Sequence, residues 1–434
     1  MERKIIVRQS GKKNHILSKI LLTILAVLII AGGIYGRFGG FHTGRCADIG
    51  EFAKYAGKIS EITIPEETRM IALGEATHGN AEFQQLKMDV FRILVENYGV
   101  RAFALEADYG CCETVNRYIH GGEGTPEEAA AALGFQIYKT DEMASLLRWM
   151  REYNQGAGKG EDLCFYGFDM QRYEVDYEYF IEMAKGLGAD TTELEKIWDN
   201  EDSDNTDTAE QKTEAINAVK AQLLDHEKPA VTQVLHFADI LLQNIEVGKA
   251  MESGHEGIAL RDKYMAENAM WILEQEEARG NKRIFISGHN GHVDQFGSYD
   301  KENKYMGHIL ADNIGEASYF VIGTDFYKTK NNMPKDSEKR TTFTVYSHNP
   351  FAKAAKKCGY DICWLDFSKI PEESALKGEV TGYCYMGSLG ENQMSLLNRS
   401  IMRALPYTYR VWGSPASMYD GMIFVTDAHP TQIR

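Results

Sequence analysis

The sequence predicts an α/β protein: a largely parallel sheet flanked by helices, carrying an inserted all-helical subdomain and preceded by one N-terminal transmembrane or signal segment. Three observations carry this reading. Short apolar, β-branched runs alternate with long helical patterns, as in sheets built from strand–helix–strand units. Between about 173 and 278 the alternation stops, leaving several amphipathic helix patterns and no convincing strand. A basic segment and then an unbroken apolar run open the chain.

Arg3, Lys4, Arg8, Lys12, Lys13 and Lys19 precede the apolar run Ile20 to Tyr35, which Gly36 and Arg37 follow. Positive then apolar is the order of secretion and anchoring segments whose basic end stays in the cytoplasm. As a helix the run spans about 24 Å against a hydrocarbon core of about 30 Å, and Lys19 and Arg37 can snorkel across the difference. A signal-peptide cleavage site is poorly matched, because Gly36 follows a bulky Tyr35. The expectation is an uncleaved anchor, with a cleaved signal or a buried soluble helix as alternatives. It divides the chain into a basic cytoplasmic tail (1–19), a membrane or signal segment (20–36) and a body (37–434) outside the cytoplasm.

Within the body, strands are expected at Met70 to Leu73, Ala102 to Leu105, Leu163 to Tyr166, Arg283 to Ser287, Tyr319 to Ile322 and Met422 to Val425. Thr341 to Tyr346 and Asp361 to Leu365 show the same pattern less fully. Glu82 to Tyr98 and Arg261 to Glu277 read as helices, and the acidic stretch 199–207 as a solvated loop. That stretch lacks the glycine and terminal glutamate of a calcium-binding EF-hand.

Composition narrows the function classes. Apolar residues at 44% and charged residues at 25% fit a globular chain rather than a disordered or polytopic one. Net charge is −16, and beyond residue 19 the balance is 41 basic against 62 acidic residues. Such a body repels phosphate backbones, so no nucleic-acid partner is expected. Seven cysteines, an odd number without a CxxC pair, support neither a disulfide scaffold nor a zinc ribbon. Cys164 lies in an apolar strand pattern and reads as a small core residue. No G-x-S-x-G elbow and no P-loop occurs, and Gly156-x-Gly158-x-Gly160 sits between a helix and a strand, the wrong context for a dinucleotide fingerprint. No cofactor and no protein partner is predicted.

The chemistry is expected where four strands end alike. Ile71-Ala72-Leu73 runs into Gly74-Glu75-Ala76-Thr77-His78-Gly79, and Phe103-Ala104-Leu105 into Glu106-Ala107-Asp108. Phe165-Tyr166-Gly167-Phe168 runs into Asp169, and Ile284-Phe285-Ile286-Ser287-Gly288 into His289-Asn290-Gly291-His292. Ligands of open parallel sheets bind at the carboxyl ends of the strands, so these acids and imidazoles would line one rim if the strands are neighbours. A plain reading exists for each. Glu75 and His78 fit an exposed turn, Glu106 a strand-end carboxylate, Asp169 a cap, and Arg261-Asp262 a solvated first helical turn. Tyr383, Tyr385, Tyr407, Tyr409 and Trp412 are core aromatics or the wall of a pocket for a bulky ligand.

Taken in order, these motifs resemble the erythromycin esterase family. The resemblance runs from Gly74-Glu75-Ala76-Thr77-His78-Gly79 and Phe83, through Phe103–Asp108 and Gly167-Phe168-Asp169-Met170-Gln171, to Arg261-Asp262, Met265-Ala266-Glu267-Asn268 and His289-Asn290-Gly291-His292. It covers about residues 45 to 434 and implies hydrolysis of a carboxylic ester or lactone by an activated water, with a small-molecule ester as partner. On that likeness His78 is the general base, Glu75 and Glu106 hold or polarise the site, and His289, His292 and Arg261 bind the acyl oxygen or assist the leaving group. Lys87, Asp169 and Asp262 are assigned to substrate binding. Where macrolide-cleaving members carry an arginine nine residues after the motif histidine, Lys87 stands here. It keeps the charge but not the bidentate fork.

The residues alone agree on mechanism, since an imidazole near pKa 6.5 can deprotonate water while a neighbouring carboxylate fixes its tautomer. A bulky esterified macrolide, envelope or exopolysaccharide component fits the esterase reading, and a helical insertion closing over the rim would exclude water. Two alternatives stay open: a metal-dependent hydrolase using Glu75, His78, Glu106, His289 and His292, and a haem-binding surface protein using the same histidines.

Overall fold

The computed structural model describes residues 3–37, 44–199, 206–224, 230–252, 255–297, 303–335, 339–391, 396–405 and 409–434. Its strands are β1 (Ala56–Gly57), β2 (Met70–Glu75), β3 (Ala102–Asp108), β4 (Cys164–Asp169), β5 (Ile284–His289), β6 (Tyr319–Pro334), β7 (Arg340–Tyr346), β8 (Ile362–Asp366), β9 (Cys384–Gly387), β10 (Arg410–Gly413) and β11 (Gly421–Ala428). Among the described residues they build a nine-stranded sheet in the order β1-β8-β11-β6-β2-β5-β3-β4, with β7 added beside β6, and a separate β9–β10 hairpin. From β11 to β4 every pairing is parallel. The pairs β1–β8, β8–β11 and β6–β7 are antiparallel, so the sheet is mixed around a parallel centre. β6 and β7 follow one another closely in the chain, and only an antiparallel return can be made across so short a connection. The expected strands occur with shifted ends. β6 is the largest departure, running twelve residues past Ile322 into the hairpin with β7.

Side chains of successive strand residues point to opposite faces. Met70, Ala72, Ala104 and Ile286 therefore join one core with Phe237 and Ile240 of helix Ala230–Met251 and Met265 and Ile272 of helix His255–Ala278. Ile71, Leu73, Phe103 and Phe285 join the other with Leu86 and Val90 of helix Ala81–Tyr98 and Leu147 and Met150 of helix Asp141–Gly156. Both faces are covered, which explains why the parallel strands read as continuous apolar runs.

Helix Ala81–Tyr98 shows how the sequence sets these layers. Its apolar residues recur at Phe83, Leu86, Val90, Leu94, three or four apart, giving one buried stripe. Gly99 at φ 67° ends it in the left-handed conformation that glycine adopts without penalty. Truncating one of these buried leucines to alanine would cost about 2–5 kcal/mol.

Between β4 and β5 run helices Glu174–Gly186, Thr192–Asp199, Thr206–Leu223, Ala230–Met251 and His255–Ala278, with no strand among the described residues there. Most of the acidic stretch at 199–207 lies outside the described residues. Helix His255–Ala278 begins six residues before Arg261, so Arg261 and Asp262 occupy its second turn and face inward rather than solvent.

Helix Arg3–Arg37 holds an apolar stretch, His15–Gly36, with mean hydropathy 2.4 and only 6% of it buried. It is long and apolar enough to cross a membrane. Near its end, Gly33 lies against Ser400 of helix Leu396–Ala404, where an added Cβ would meet the Ser400 backbone at 3.0 Å. All seven cysteines are free, and Cys164 is buried as expected. Tyr409 is buried, whereas Tyr383 and Trp412 are exposed on the β9–β10 hairpin. Tyr407 lies outside the described residues. None of the described members of this aromatic group lines the main cleft.

Candidate active site

β2, β5, β3 and β4 are consecutive in the sheet and all parallel, so their carboxyl ends share one rim. Register sets Glu75 beside His289 and Asp108 beside Asp169. The rings of His78 and His289 are 5.1 Å apart and those of His289 and His292 6.3 Å, although more than two hundred residues separate the first pair in sequence. Close approach needs small residues: a Cβ on Gly74 would fall 2.2 Å from Asn290 Oδ1. That Asn290 amide bridges to β6, donating to Thr324 O at 2.8 Å and accepting from Thr324 N at 3.2 Å.

Two carboxylate-centred groups make up the rim. In the first, Glu75 binds His78 Nδ1 through one oxygen and Lys87 Nζ through the other, with both carboxylate and ammonium buried. Lys87 also donates to Gln84 Oε1 at 3.2 Å. Burial would raise the Glu75 carboxyl, but the charges of Lys87 and His78 outweigh it and hold it at about 2. Burial would lower His78, and the Glu75 carboxylate overcomes that to lift it above its ordinary value.

The second group centres on Arg261. Its Nε and Nη2 reach the two oxygens of Asp169 at 3.0 and 2.6 Å, a bidentate fork, and Nη2 also reaches Glu106 Oε1 at 2.9 Å. Glu106 Oε2 accepts the His289 backbone N–H at 2.8 Å. Despite burial, the neighbouring His292 and Arg261 keep Glu106 below the usual carboxylate range. His292 Nδ1 pairs with Asp262 Oδ1 at 2.7 Å, and Nε2 faces Glu106 Oε1 at 3.4 Å. Burial opposes its charge, but Asp262 and Glu106 raise it to about 9. His289 goes the other way, pushed down to about 3 by burial and by the positive charge of its two imidazole neighbours. Its Nδ1 accepts from Gly291 N at 3.3 Å, which makes Nε2 the protonated nitrogen. Three imidazoles thus stand side by side, His78 and His292 with raised proton affinity and His289 with lowered.

His78, Glu106, Arg261 and His292 open onto a cleft of about 1020 Å³. Lys87, Asp169 and Asp262, expected to bind substrate, do not reach it. Each is fully or almost fully buried, and they hold Glu75, Arg261 and His292 instead. The expected helical cover is corrected as well. Among the described residues the cleft walls come from residues 134–138, the β6–β7 hairpin, Glu391 and Ile433, and the helices between β4 and β5 contribute Arg261 alone. Sequence reasoning missed Tyr138, whose hydroxyl donates to Glu106 O at 2.8 Å, and the cleft residues Gln171, Arg172, Lys339 and Arg340. Gln171-Arg172 directly follows Asp169 at a strand end, which was a signal to use. The others, on a short 3-10 turn, a loop and the first residue of β7, carry no sequence pattern.

A divalent cation at Glu75 or Glu106 would have to displace Lys87 or Arg261, which already neutralise those carboxylates. Among the described residues, the His, Cys and carboxylate side chains grouped closely enough for a metal are His120, Asp162 and Cys164. There Arg279 occupies the space, donating to Cys164 Sγ at 2.7 Å and Asp162 Oδ2 at 3.0 Å.

Comparison with known proteins identifies relatives of the chain. The chain is 26% identical to erythromycin esterase type II of Escherichia coli over 71% of its length and 82% of that protein. It is 24% identical to the hydrolase YbfO of Bacillus subtilis, itself described as putative, over 52% of the chain and 56% of that protein. Among solved structures, a succinoglycan biosynthesis protein matches with TM-score 0.71 at 20% identity, over 89% of this chain and 98% of that one. An open conformation of a mutant erythromycin esterase EreC matches with TM-score 0.57 at 16% identity, over 85% and 93%. The family model described as "Erythromycin esterase" matches residues 95–428, a span that begins after the Gly74–Gly79 motif and takes in Glu106, Arg261, His289 and His292. With well over half its length matched, the chain belongs to the erythromycin esterase family.

Proposed function

We propose that this protein hydrolyses a carboxylic ester or lactone of a bulky substrate by histidine-activated water. The observation that carries the proposal is the pairing of two carboxylate-held imidazoles in one cleft: His78 backed by Glu75, and His292 held as a cation by Asp262 and Glu106. Family membership supports a hydrolase, and the E. coli relative is named for erythromycin.

In this mechanism His78, its Nδ1–H held by Glu75, removes a proton from water at Nε2. The resulting hydroxide adds to the acyl carbon. Arg261 and His292 stabilise the oxyanion, a contribution of about 3–4 kcal/mol for a well-aimed donor. Collapse breaks the acyl C–O bond, the alkoxide takes a proton from an imidazolium, and the carboxylic acid and alcohol leave. His289, neutral and protonated on Nε2, adds an N–H without adding charge. Asp169 and Asp262 orient the cationic pair.

The N-terminal helix belongs to the same proposal. The 22-residue helical stretch His15–Gly36 spans about 33 Å, enough for the hydrocarbon core, and would tether the hydrolase outside the cytoplasm. There an esterified envelope component or exopolysaccharide is as accessible as a macrolide.

The test is a hydrolysis screen of the detergent-solubilised chain against macrolides, acylated sugars and simple aryl esters, with and without chelator. Ester cleavage that survives chelation supports the reading. Cleavage that a chelator abolishes and a metal restores favours the metal-dependent alternative, and no cleavage of any ester sinks the proposal.

A further inference from the structure

The cleft has a charge pattern that the hydrolytic groups do not use. Apart from histidines, its ionised lining residues among the described residues are Arg172, Arg261, Lys339 and Arg340 against Glu106 and Glu391, so this described lining is net positive in a chain of net charge −16. Arg261 is neutralised by Glu106 and Asp169, and Arg340 pairs with Glu391 at 2.5 Å. Arg172 differs: among the described residues its guanidinium makes no ion pair, and its ring contact is with Phe135, 5.8 Å from the centroid.

The side chain is nevertheless placed. Its backbone N–H donates to Asp108 Oδ1 at 2.9 Å, which fixes its root at the β3–β4 rim, three residues past the carboxylate that holds Arg261. Gly134 gives its head room. That glycine has φ +82°, and a Cβ on it would fall 1.8 Å from Arg172 Nη1. Gly134 and Phe135 therefore seat the exposed guanidinium on the same cleft wall, with its fork available.

We propose that Arg172 binds an anionic substituent of the substrate, which is then an ester bearing a carboxylate or phosphate apart from the bond that is cleaved. This rests on the esterase reading above and narrows its substrate class. The physical case is that a guanidinium offers two parallel N–H donors matched to an oxyanion, and low-dielectric walls concentrate a positive field inside the cleft. An ester bearing an ammonium group meets the same field as repulsion.

The test uses the full chain in detergent and 4-nitrophenyl monoesters of glutaric, adipic and suberic acids, set against their methyl-capped and trimethylammonium-bearing counterparts. For at least one chain length the anionic ester should exceed its neutral counterpart in kcat/KM by about tenfold or more, with added salt eroding the preference. Arg172→Gln should cut the anionic-to-neutral ratio through the KM of the anionic ester, and Arg172→Glu should turn the preference toward the cationic one. Because Arg172 is exposed, both variants should melt near the parent temperature. Equal kcat/KM across the three charge types, or a preference intact in both variants, overturns the inference while leaving the esterase standing. Hydrolysis of no ester in the series removes the esterase reading first and this inference with it.

Discussion

Replacing Asp262 by asparagine tests whether His292 works as a cation. Asp262 is fully buried, and its Oδ1 accepts from both His292 Nδ1 and the Met306 backbone N–H, at 2.7 and 3.0 Å. Asparagine keeps the size and an acceptor for Met306 but removes the charge. In the parent, burial works against the imidazolium, while Asp262 and then Glu106 raise it from 6.5 to about 9. At about 1.4 kcal/mol per pH decade, that span is worth about 3 kcal/mol in favour of the protonated form. Asp262 is the larger of the two charges, so its loss should return at least one pH unit of it.

Two readouts follow. In the pH profile of kcat/KM, the parent should lose activity as pH rises toward 9, and in Asp262→Asn that limb should move down by one unit or more. Stability gives the independent check. A histidine whose folded pKa lies above its unfolded value stabilises the fold fully below about 6.5 and loses that contribution as pH climbs to the folded value. The variant should therefore be most destabilised at pH 6 and much less so at pH 9.5, measured by urea midpoints. A basic limb that stays in place, or a destabilisation equal at both pH values, refutes the assignment of His292 as the charged partner.

His78→Ala should lower hydrolysis by about 10²–10⁴-fold, the usual worth of a general base, while the melting temperature stays near that of the parent; retained activity would remove His78 from the mechanism. Lys87→Met should act on the fold, because it strands the buried Glu75 carboxylate, and the urea midpoint should fall by an amount equivalent to about 3–5 kcal/mol. An unchanged midpoint with a raised KM would restore Lys87 to substrate contact. Removing residues 1–36 should move the protein from the membrane to the soluble fraction with hydrolysis preserved, assayed by fractionation and turnover, and a soluble full-length chain would contradict the anchor.

Part of the candidate site was legible because four of its groups lie at or near the carboxyl ends of strands. Glu75, Glu106, Asp169 and His289 follow apolar runs long enough to be recognised singly, and parallel order among neighbouring strands then forces their ends together. Burial was harder to read. Lys87 sits on the apolar side of its helix, between Phe83 and Val90, and only the position of Glu75 beneath it shows that its charge is satisfied internally. The cleft walls left no trace because Gly134, Phe135, Lys339 and Arg340 come from loops and a hairpin end whose placement is a tertiary matter. β6 was read short because its apolar run breaks at Gly323-Thr324-Asp325, and from Lys328 onward the strand pairs with β7 and alternates buried with less buried residues.

What unites the geometry is a division of labour between carboxylates. Glu75 and Asp262 each hold one imidazole by Nδ1, so the rings present Nε2 toward the cleft side. Glu75 shares its negative charge between His78 and Lys87, whereas Asp262 accepts hydrogen bonds from His292 and the Met306 backbone N–H. Against burial, Glu75 lifts the imidazole of His78 above its ordinary value, and Asp262 and Glu106 lift that of His292 to about 9. Between them Glu106 ties Arg261, His292 and the backbone of His289 to one point. In the proposed mechanism the base and the acid then stand within a few ångströms of one another, as water-driven ester cleavage without a serine nucleophile requires.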